Sequence, residues 1–374
     1  LRLLTTRDGY VASVPQPRLK KVDCSAPGLR RVKRGRGFSI LDGDGERVAD
    51  PEILTRVNEL VIPPAWQDVW ICPYPGGHIQ ATGIDQRGRK QYLYHPRWRA
   101  RRDQAKFEDM VVFARTLPKL RARVEDDLAR GDFSADHVLA LAVRLLDRGF
   151  FRIGTEDYAV TNETYGLATM KQRHVQVRDG VLYFDYPAKH GKRRIQAVVD
   201  PDLGDDLCRL KRRRGGGDEL LAYKRNRRWV DVKSADINMW LKDATGEDIS
   251  AKDFRTWGAT VLAAVGLAVS PGRVGPNPTA RKRAMARVVK EVAHHLGNTP
   301  AVARASYIDP RTFDRYLDGI TIAGTLPGLA EAGDGTAIQG AVEAAVLELL
   351  TGEDSPAMAP PGGEEIAGEL AKAA

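Results

Sequence analysis

The chain is poor in cysteine. Its 374 residues hold only Cys24, Cys72 and Cys208, odd in number, far apart and in no Cys-x-x-Cys pair. That spacing argues against a disulfide framework and against a thiolate zinc site. No apolar run approaches the roughly 18 residues of a membrane helix, and the first residues lack the apolar stretch of a secretory leader. Neither a phosphate-cradling Gly-x-x-x-x-Gly-Lys motif nor an acidic metal cluster is present. These absences lead us to expect a soluble protein of the cytoplasm, with no membrane partner, no metal and no cofactor.

What abounds is positive charge. The formal net charge of +9 hides an asymmetry, because residues 326–374 carry nine acidic residues against the single basic Lys372, a net of −8, which leaves +17 on the rest. A strongly basic body with an acidic tail points to a polyanionic partner. The length suffices for two domains and a sizeable core.

Composition divides the chain. Residues 1–37 are rich in Arg, Lys, Gly and Pro and read as an irregular basic arm. From Gly37 onward, short apolar runs separated by Gly/Pro/Asp turns predict strands over 38–41, 46–48, 69–72, 78–83 and 90–94, with a short helix at 51–60. A small antiparallel β domain over 38–102 follows. Beyond Lys106 the pattern turns helical. Ser134 is the expected N-cap of a helix over 135–146, Ser250 of one through Leu262, and Thr279 of one stopped by Gly297. Asp309-Pro310 opens another, which Gly319 closes. Residues 181–186 and 193–199 read as a hairpin around Lys189-His190-Gly191-Lys192. We therefore expect an α+β protein: the β domain, a larger, mostly α-helical domain over 103–325, and an acidic tail over 326–374. In the tail, 336–350 reads as one helix and 352–363 as disordered.

Several segments carry the equipment for attack on a phosphodiester. Such a reaction needs a nucleophile, fixed cationic or hydrogen-bond donors for the charge on the phosphorus oxygens, and an acid for the leaving sugar oxygen. Arginine suits the donor role because its planar fork stays charged. Lysine suits the acid role because neighbouring cations lower its pKa. Arg152 lies in Phe150-Phe151-Arg152-Ile153-Gly154, Arg255 in Lys252-Asp253-Phe254-Arg255-Thr256-Trp257, Lys189 at the hairpin tip, and Asn298 just past a helix end, nine residues before Tyr307. A tyrosine becomes a nucleophile only when its proton is removed or its charge is met by cations.

Taken with Ile62-Pro63-Pro64-Ala65-Trp66, His78-Ile79-Gln80-Ala81-Thr82-Gly83 and Gly88-Arg89-Lys90-Gln91-Tyr92, these motifs make the chain, from about Arg30 to Ile320, resemble the type IB DNA topoisomerases, specifically their small poxvirus-like bacterial branch. The resemblance implies a β-rich N-terminal domain and a helical catalytic domain of the tyrosine recombinase and type IB topoisomerase kind, acting as a monomeric clamp around double-stranded DNA in the nucleoid. It implies that Tyr307 forms a 3′-phosphotyrosyl bond, that Arg152 and Arg255 hold the non-bridging oxygens, and that Lys189 protonates the 5′-oxygen. In the family's Gly-Lys-x-Gly-Lys hairpin, Ala188 here replaces the leading Gly, and Lys192 is the weaker candidate for the acid. Many relatives have His where Asn298 stands, so this position is expected to donate without titrating; His295 is the alternative. Arg89, Lys90, Gln91, Tyr92, Tyr94 and Lys252 are expected to contact DNA. Alternation puts Gln91 and Leu93 on one face of their strand and Tyr92 and Tyr94 on the other. The run Lys211-Arg212-Arg213-Arg214 reads as a solvated basic surface or a loop flanking DNA. The rival readings are a tyrosine site-specific recombinase and a non-catalytic DNA-binding clamp. Lys252 stands where the recombinase pattern has His, three residues before the second Arg.

Overall fold

Short β-prone runs give way to long amphipathic ones near residue 96, and the chain divides into two compact units accordingly, Leu1–Lys106 and Phe107–Ala374. The structure, a computed structural model, describes residues 18–270, 277–327 and 335–352. The remainder of the basic arm and the stretch expected to be disordered, from 353 on, lie outside the described residues.

The N-terminal unit is built on a five-stranded antiparallel sheet of order β2-β1-β3-β4-β5. Its strands are β1 (Leu29–Arg34), β2 (Gly37–Leu41), β3 (Gln67–Ile71), β4 (Ile79–Ile84) and β5 (Lys90–Tyr94), with α1 (Pro51–Glu59) between β2 and β3. One expectation is corrected here. Residues 29–34 belong to a sheet strand between β2 and β3, not to an irregular arm. Four of its six residues are Arg or Lys, which hid the alternation. One of them, Arg31, donates to the carbonyls of Ile62, Pro63 and Trp66 at 2.9 Å each and so holds the Pro-Pro-Ala-Trp loop. The expected strand at 46–48 is a single bridge, Leu41 to Arg47.

The second unit surrounds a largely buried helix. It contains α2 (Pro96–Leu128) from Phe107 on, α3 (Ala135–Gly149), α4 (Glu156–Asn162), α5 (Pro201–Lys211), α6 (Ser234–Thr245), α7 (Ala251–Ala268), α8 (Pro278–Leu296), α9 (Pro300–Ser306), α10 (Pro310–Leu317) and α11 (Gly335–Thr351). Two antiparallel pieces interrupt the helices: the sheet β6 (Val175–Arg178), β7 (Val181–Ala188) and β8 (Lys192–Val199), and the hairpin β9 (Ala222–Arg225) and β10 (Arg228–Asp231). Helix α3 buries Val138, Ala140, Leu141, Ala142, Val143, Leu145 and Leu146 on all its sides, the pattern of a helix enclosed by others. Its Ser134 accepts from the His137 amide as expected. Helix α8, by contrast, is capped by Asn277 with Pro278 at its first position, not by Thr279. Helix α7 is entered through Ser250 as expected, with Asp253 accepting from the Ser250 amide, and runs past Leu262 to Ala268. Helix α11 buries Ala345, Val346, Leu349 and Leu350 in the same core, and Arg121 ties its Glu343 to Asp147 of α3 at 2.6–2.9 Å. Among the described residues, no helix is long and apolar enough to cross a membrane.

Candidate active site

The site is assembled on the C-terminal end of α8. A helix end leaves its last carbonyls without partners in the helix. Gly297, at φ +61°, turns the chain so that its own amide bonds back to His294 and the Asn298 amide to Ala293, at 3.0 and 2.9 Å; glycine takes this left-handed conformation at little cost. The next three carbonyls, of His295, Leu296 and Gly297, each accept from a different arginine. Arg194 Nη2 donates to His295 at 2.5 Å, Arg255 Nη2 to Leu296 at 3.0 Å, and Arg152 Nη2 to Gly297 at 3.0 Å. The negative end of the helix dipole favours this gathering of cations.

Each arginine is delivered by separate means. Arg152 follows the end of α3, where Phe150 sits at φ +52°, unusual for a side chain of its size; the Phe150 carbonyl there accepts from Arg255 Nη1. The stretch after it is pinned by the amides of Leu167 and Ala168, which donate to Arg152 and Ile153 at 2.8 and 2.7 Å. The backbones pass so closely that a Cβ on Gly166 would lie 2.4 Å from the Gly154 nitrogen. Arg255 projects from the first turns of α7 and is only 3% exposed. Arg194 lies on β8, in register with the buried Tyr186 of β7.

Tyr307 ends α9. Its amide bonds to Ala303 at 3.0 Å, and Thr260 of α7 donates to its carbonyl at 3.3 Å while accepting from the Asp309 amide at 3.1 Å. The half-buried ring lies with its centroid 5.2 Å from the Arg255 guanidinium. Asn298 Oδ1 accepts from Arg152. Asn298 Nδ2 and Arg255 Nε are buried without a full hydrogen-bond partner.

Charge follows from this packing. Burial alone would raise the Tyr307 pKa, but the charge of Arg255 first, then the neighbouring Asn298 amide and the charge of Arg152, more than reverse it and hold the phenol below the usual tyrosine value. Burial, aided by the charge of Arg152, pushes Arg255 down to about 10. That shift corresponds to roughly 3 kcal/mol spent holding the guanidinium charged at neutral pH. Burial also raises the Tyr186 phenol. No carboxylate is among the groups that shift Arg194 or Arg255. A corner of unneutralised cations with idle buried donors beside a phenol is fitted to bind an anion.

The structure thus brings together Arg152, Arg255, Asn298 and Tyr307. It also brings in Arg194, which the sequence reading passed over. The available signal was alternation: in β8, Arg194 and Gln196 fall on the inward-facing phase of a strand, an unusual place for arginine. Lys189 is exposed in the turn at 189–191, whereas Lys192, paired with Ala188, shares the strand face of Arg194. The rings of His294 and His295 lie on exposed residues of α8, His295 with its centroid 6.5 Å from Phe150.

Of the residues expected to meet DNA, Lys252 is exposed in the first turn of α7. In the N-terminal unit, Tyr92 and Tyr94 are 42% and 40% exposed, with stacked ring centroids 6.1 Å apart, and Lys90 Nζ lies 5.8 Å from the Tyr92 centroid. Leu93 faces the core. Gln91 and Arg89 both bond to Asp85, at 2.9 Å and at 2.7 and 2.9 Å. The run at 211–214 is only half solvated. Lys211 donates to the Val175 carbonyl, and Arg213 to those of Leu210 and Leu220 at 3.0 Å, while Arg212 and Arg214 are exposed.

Fold and corner together define an enzyme core suited to a polyanion. Residues 95–322 match the family described as eukaryotic DNA topoisomerase I, catalytic core, and residues 37–85 match bacterial DNA topoisomerase IB, N-terminal domain. The chain is 29% identical to DNA topoisomerase 1B of Acanthamoeba polyphaga mimivirus over 295 residues, covering 77% of this chain and 87% of that protein. It is 23% identical to DNA topoisomerase 1B of vaccinia virus (strain Copenhagen) over 241 residues, 63% and 72% of the two chains. It is 24% identical to DNA topoisomerase 1 of rabbit fibroma virus (strain Kasza) over 230 residues, 61% and 68%. The chain belongs to the type IB DNA topoisomerase family. It is accordingly a DNA topoisomerase, an isomerase whose substrate is DNA.

Proposed function

We propose that this enzyme relaxes supercoiled duplex DNA without ATP or metal, as a monomer closed around the duplex, by nicking one strand through Tyr307. The Tyr307 oxygen attacks the scissile phosphorus; a 3′-phosphotyrosyl bond forms and the bond to the 5′-oxygen breaks. The phenolic proton leaves to solvent, and the 5′-oxygen takes a proton from Lys189. After rotation of the free end, the 5′-hydroxyl attacks the ester: the bond from phosphorus to the 5′-oxygen re-forms, the phosphotyrosyl bond breaks, the hydroxyl proton returns to Lys189 and the Tyr307 oxygen takes a proton from solvent. The ester conserves the energy of the broken linkage, so resealing consumes nothing.

Arg152 and Arg255 meet the charge on the non-bridging oxygens. Asn298 adds an uncharged hydrogen bond. Arg194 is a positioning residue: its bonds to His295 and Gln196 fasten the end of α8 to β8. Lys90, Tyr92 and Tyr94 face the groove of the duplex, with Arg89 and Gln91 at the end of that strand, and Lys252 contacts its backbone. The single observation that carries this reading is the Tyr307 phenol, its pKa lowered, lying beside Arg255 with donors that lack acceptors. Supercoiled plasmid incubated with a chelator and no nucleotide tests it. The wild type should relax the plasmid and leave a denaturant-stable adduct. Tyr307→Phe should do neither while still binding DNA. A covalent adduct in the variant, or a requirement for a divalent ion, would overturn the reading.

A further inference from the structure

We propose that Arg311 is a positioning residue for Tyr307, and that helix α11 is the anchor it pulls against. The proposal deepens the reading of Tyr307 as the nucleophile and rests on it. Helix α11 lies past residue 322, where the match to the family's catalytic core stops. The chain that carries the phenol runs on from Tyr307 through Ile308 and Asp309, both fully buried, into α10. The Tyr307 carbonyl and the Asp309 amide meet the same Thr260 hydroxyl. Whatever fixes Asp309 therefore fixes the main chain behind the phenol.

Asp309 is a carboxylate with no exposed surface, and a buried charge needs a partner. Arg311 supplies it, with Nε 3.1 Å from both oxygens and Nη2 2.6 Å from Oδ2. The same guanidinium reaches two other elements. Nη2 donates to the Phe107 carbonyl of α2 at 3.2 Å, and Nη1 to the Leu350 carbonyl of α11 at 3.4 Å. Leu350 lies in the last turn of α11, where carbonyls lack partners within the helix. Arg315 Nε takes the neighbouring Leu349 carbonyl at 3.2 Å. Arginines of α10 thus finish α11 as the corner arginines finish α8. Capping α10 needs only the Asp309 carboxylate, which accepts from the Arg311 amide at 2.9 Å. A fork that spans α2, α10 and α11 goes beyond a cap.

The anchor is itself fastened to the other side of the site. Glu343 of α11 is bound by Arg121, which also binds Asp147 in the last turn of α3. Glu343 and Leu350 stand about 10 Å apart along the helix axis. One end of α11 therefore meets the end of α3, which delivers Arg152, and the other meets the start of α10, which follows Tyr307. Between them Ala345, Val346 and Leu349 are buried in the core and hold the helix in place. The phenol is set against the guanidinium groups by this strut.

Three measurements decide together: single-turnover cleavage at saturating DNA, DNA affinity, and titration of the Tyr307 phenol by carbon NMR in the free protein. Arg311→Met should slow cleavage by about tenfold to a hundredfold, the cost of a misplaced reacting group, with affinity unchanged. Its phenol should titrate above the parent's, because the ring has moved away from Arg255. Arg311→Lys keeps a charge for Asp309 but has no fork for both carbonyls. It should fall between parent and Arg311→Met in rate and titration. Arg123→Met breaks the ion pair of another buried aspartate, Asp127, and should leave rate and phenol at the parent's values. Parent rate and titration in Arg311→Met, a loss confined to affinity, or the same phenol shift in Arg123→Met would overturn the proposal. If Arg311→Met folds poorly, parent rate and titration in Arg311→Lys overturn it equally. The phenol readout needs no chemistry, so a wrong nucleophile, seen as an adduct that survives Tyr307→Phe, is told apart from a wrong strut.

Discussion

Helix α3 has a cluster of cations at each end, and the two clusters are built in opposite ways. At the Phe150 end, Arg152, Arg194 and Arg255 are wholly or partly buried, bonded to the carbonyls that finish α8, and close enough to depress the pKa values of Arg255 and Tyr307. At the Phe133 end, Arg225, Arg227 and Arg228 are exposed, and none has an ion pair among the described residues. Burial costs the first cluster stability and makes each charge strong, because little water screens it. Exposure leaves the second cluster cheap and screened, useful for holding a polyanion and of little use for altering a reacting group. Lys189 belongs to neither cluster, since it carries a proposed chemical role from an exposed turn.

That contrast can be broken most severely at Lys189. If it is the acid, Lys189→Ala should slow single-turnover cleavage by about 10²–10⁴-fold, and a substrate with sulfur in place of the 5′-oxygen, which leaves without a proton, should recover most of the loss. Should Lys192→Ala show this behaviour instead, the acid is the lysine on the Arg194 face of β8.

Next come the corner arginines. Arg152→Ala or Arg255→Ala should each cost about 10²–10³-fold in cleavage rate while DNA affinity changes little. Arg194→Met, which acts through the end of α8, should cost less, about tenfold to a hundredfold, with Arg194→Lys restoring part of it. Losses that fall mainly on affinity would erase the distinction between the two ends of α3.

The smallest effect sharpens the electrostatics. In the free protein, the Tyr307 phenol should titrate below the usual tyrosine value by carbon NMR of labelled rings, and Arg255→Gln should move it upward. Since its folded pKa is depressed, the phenolate's contribution to stability is present above the unfolded value and lost as pH falls through the folded one. Cleavage should accordingly rise with pH as the phenol ionises and fail above about 10, where Arg255 loses its proton.

Local patterns were legible where one element's own residues decide its shape. Ser134 and Ser250 opened the helices they were expected to open, Asp309-Pro310 began α10, and Gly297 ended α8. The hairpin around 189–192 also followed from alternation. Strand β1 did not, because its charged residues are exposed or, like Arg31, bond to a distant loop. The β9–β10 hairpin was missed for a related reason: strands of only four residues, three of the eight being Arg or Lys, carry almost no periodic signal.

Residue chemistry by itself determined that this chain has a phenol, arginines and an amide suited to phosphate, and that it carries excess positive charge, because type and net charge do not depend on folding. Only tertiary structure decided which cations share a corner. Arg152, Arg194 and Arg255 come from three separate parts of the chain, and they meet because the last carbonyls of one helix need donors that helix cannot supply. No spacing along the sequence encodes that meeting, since it is fixed by how α3, α7, α8 and β8 pack.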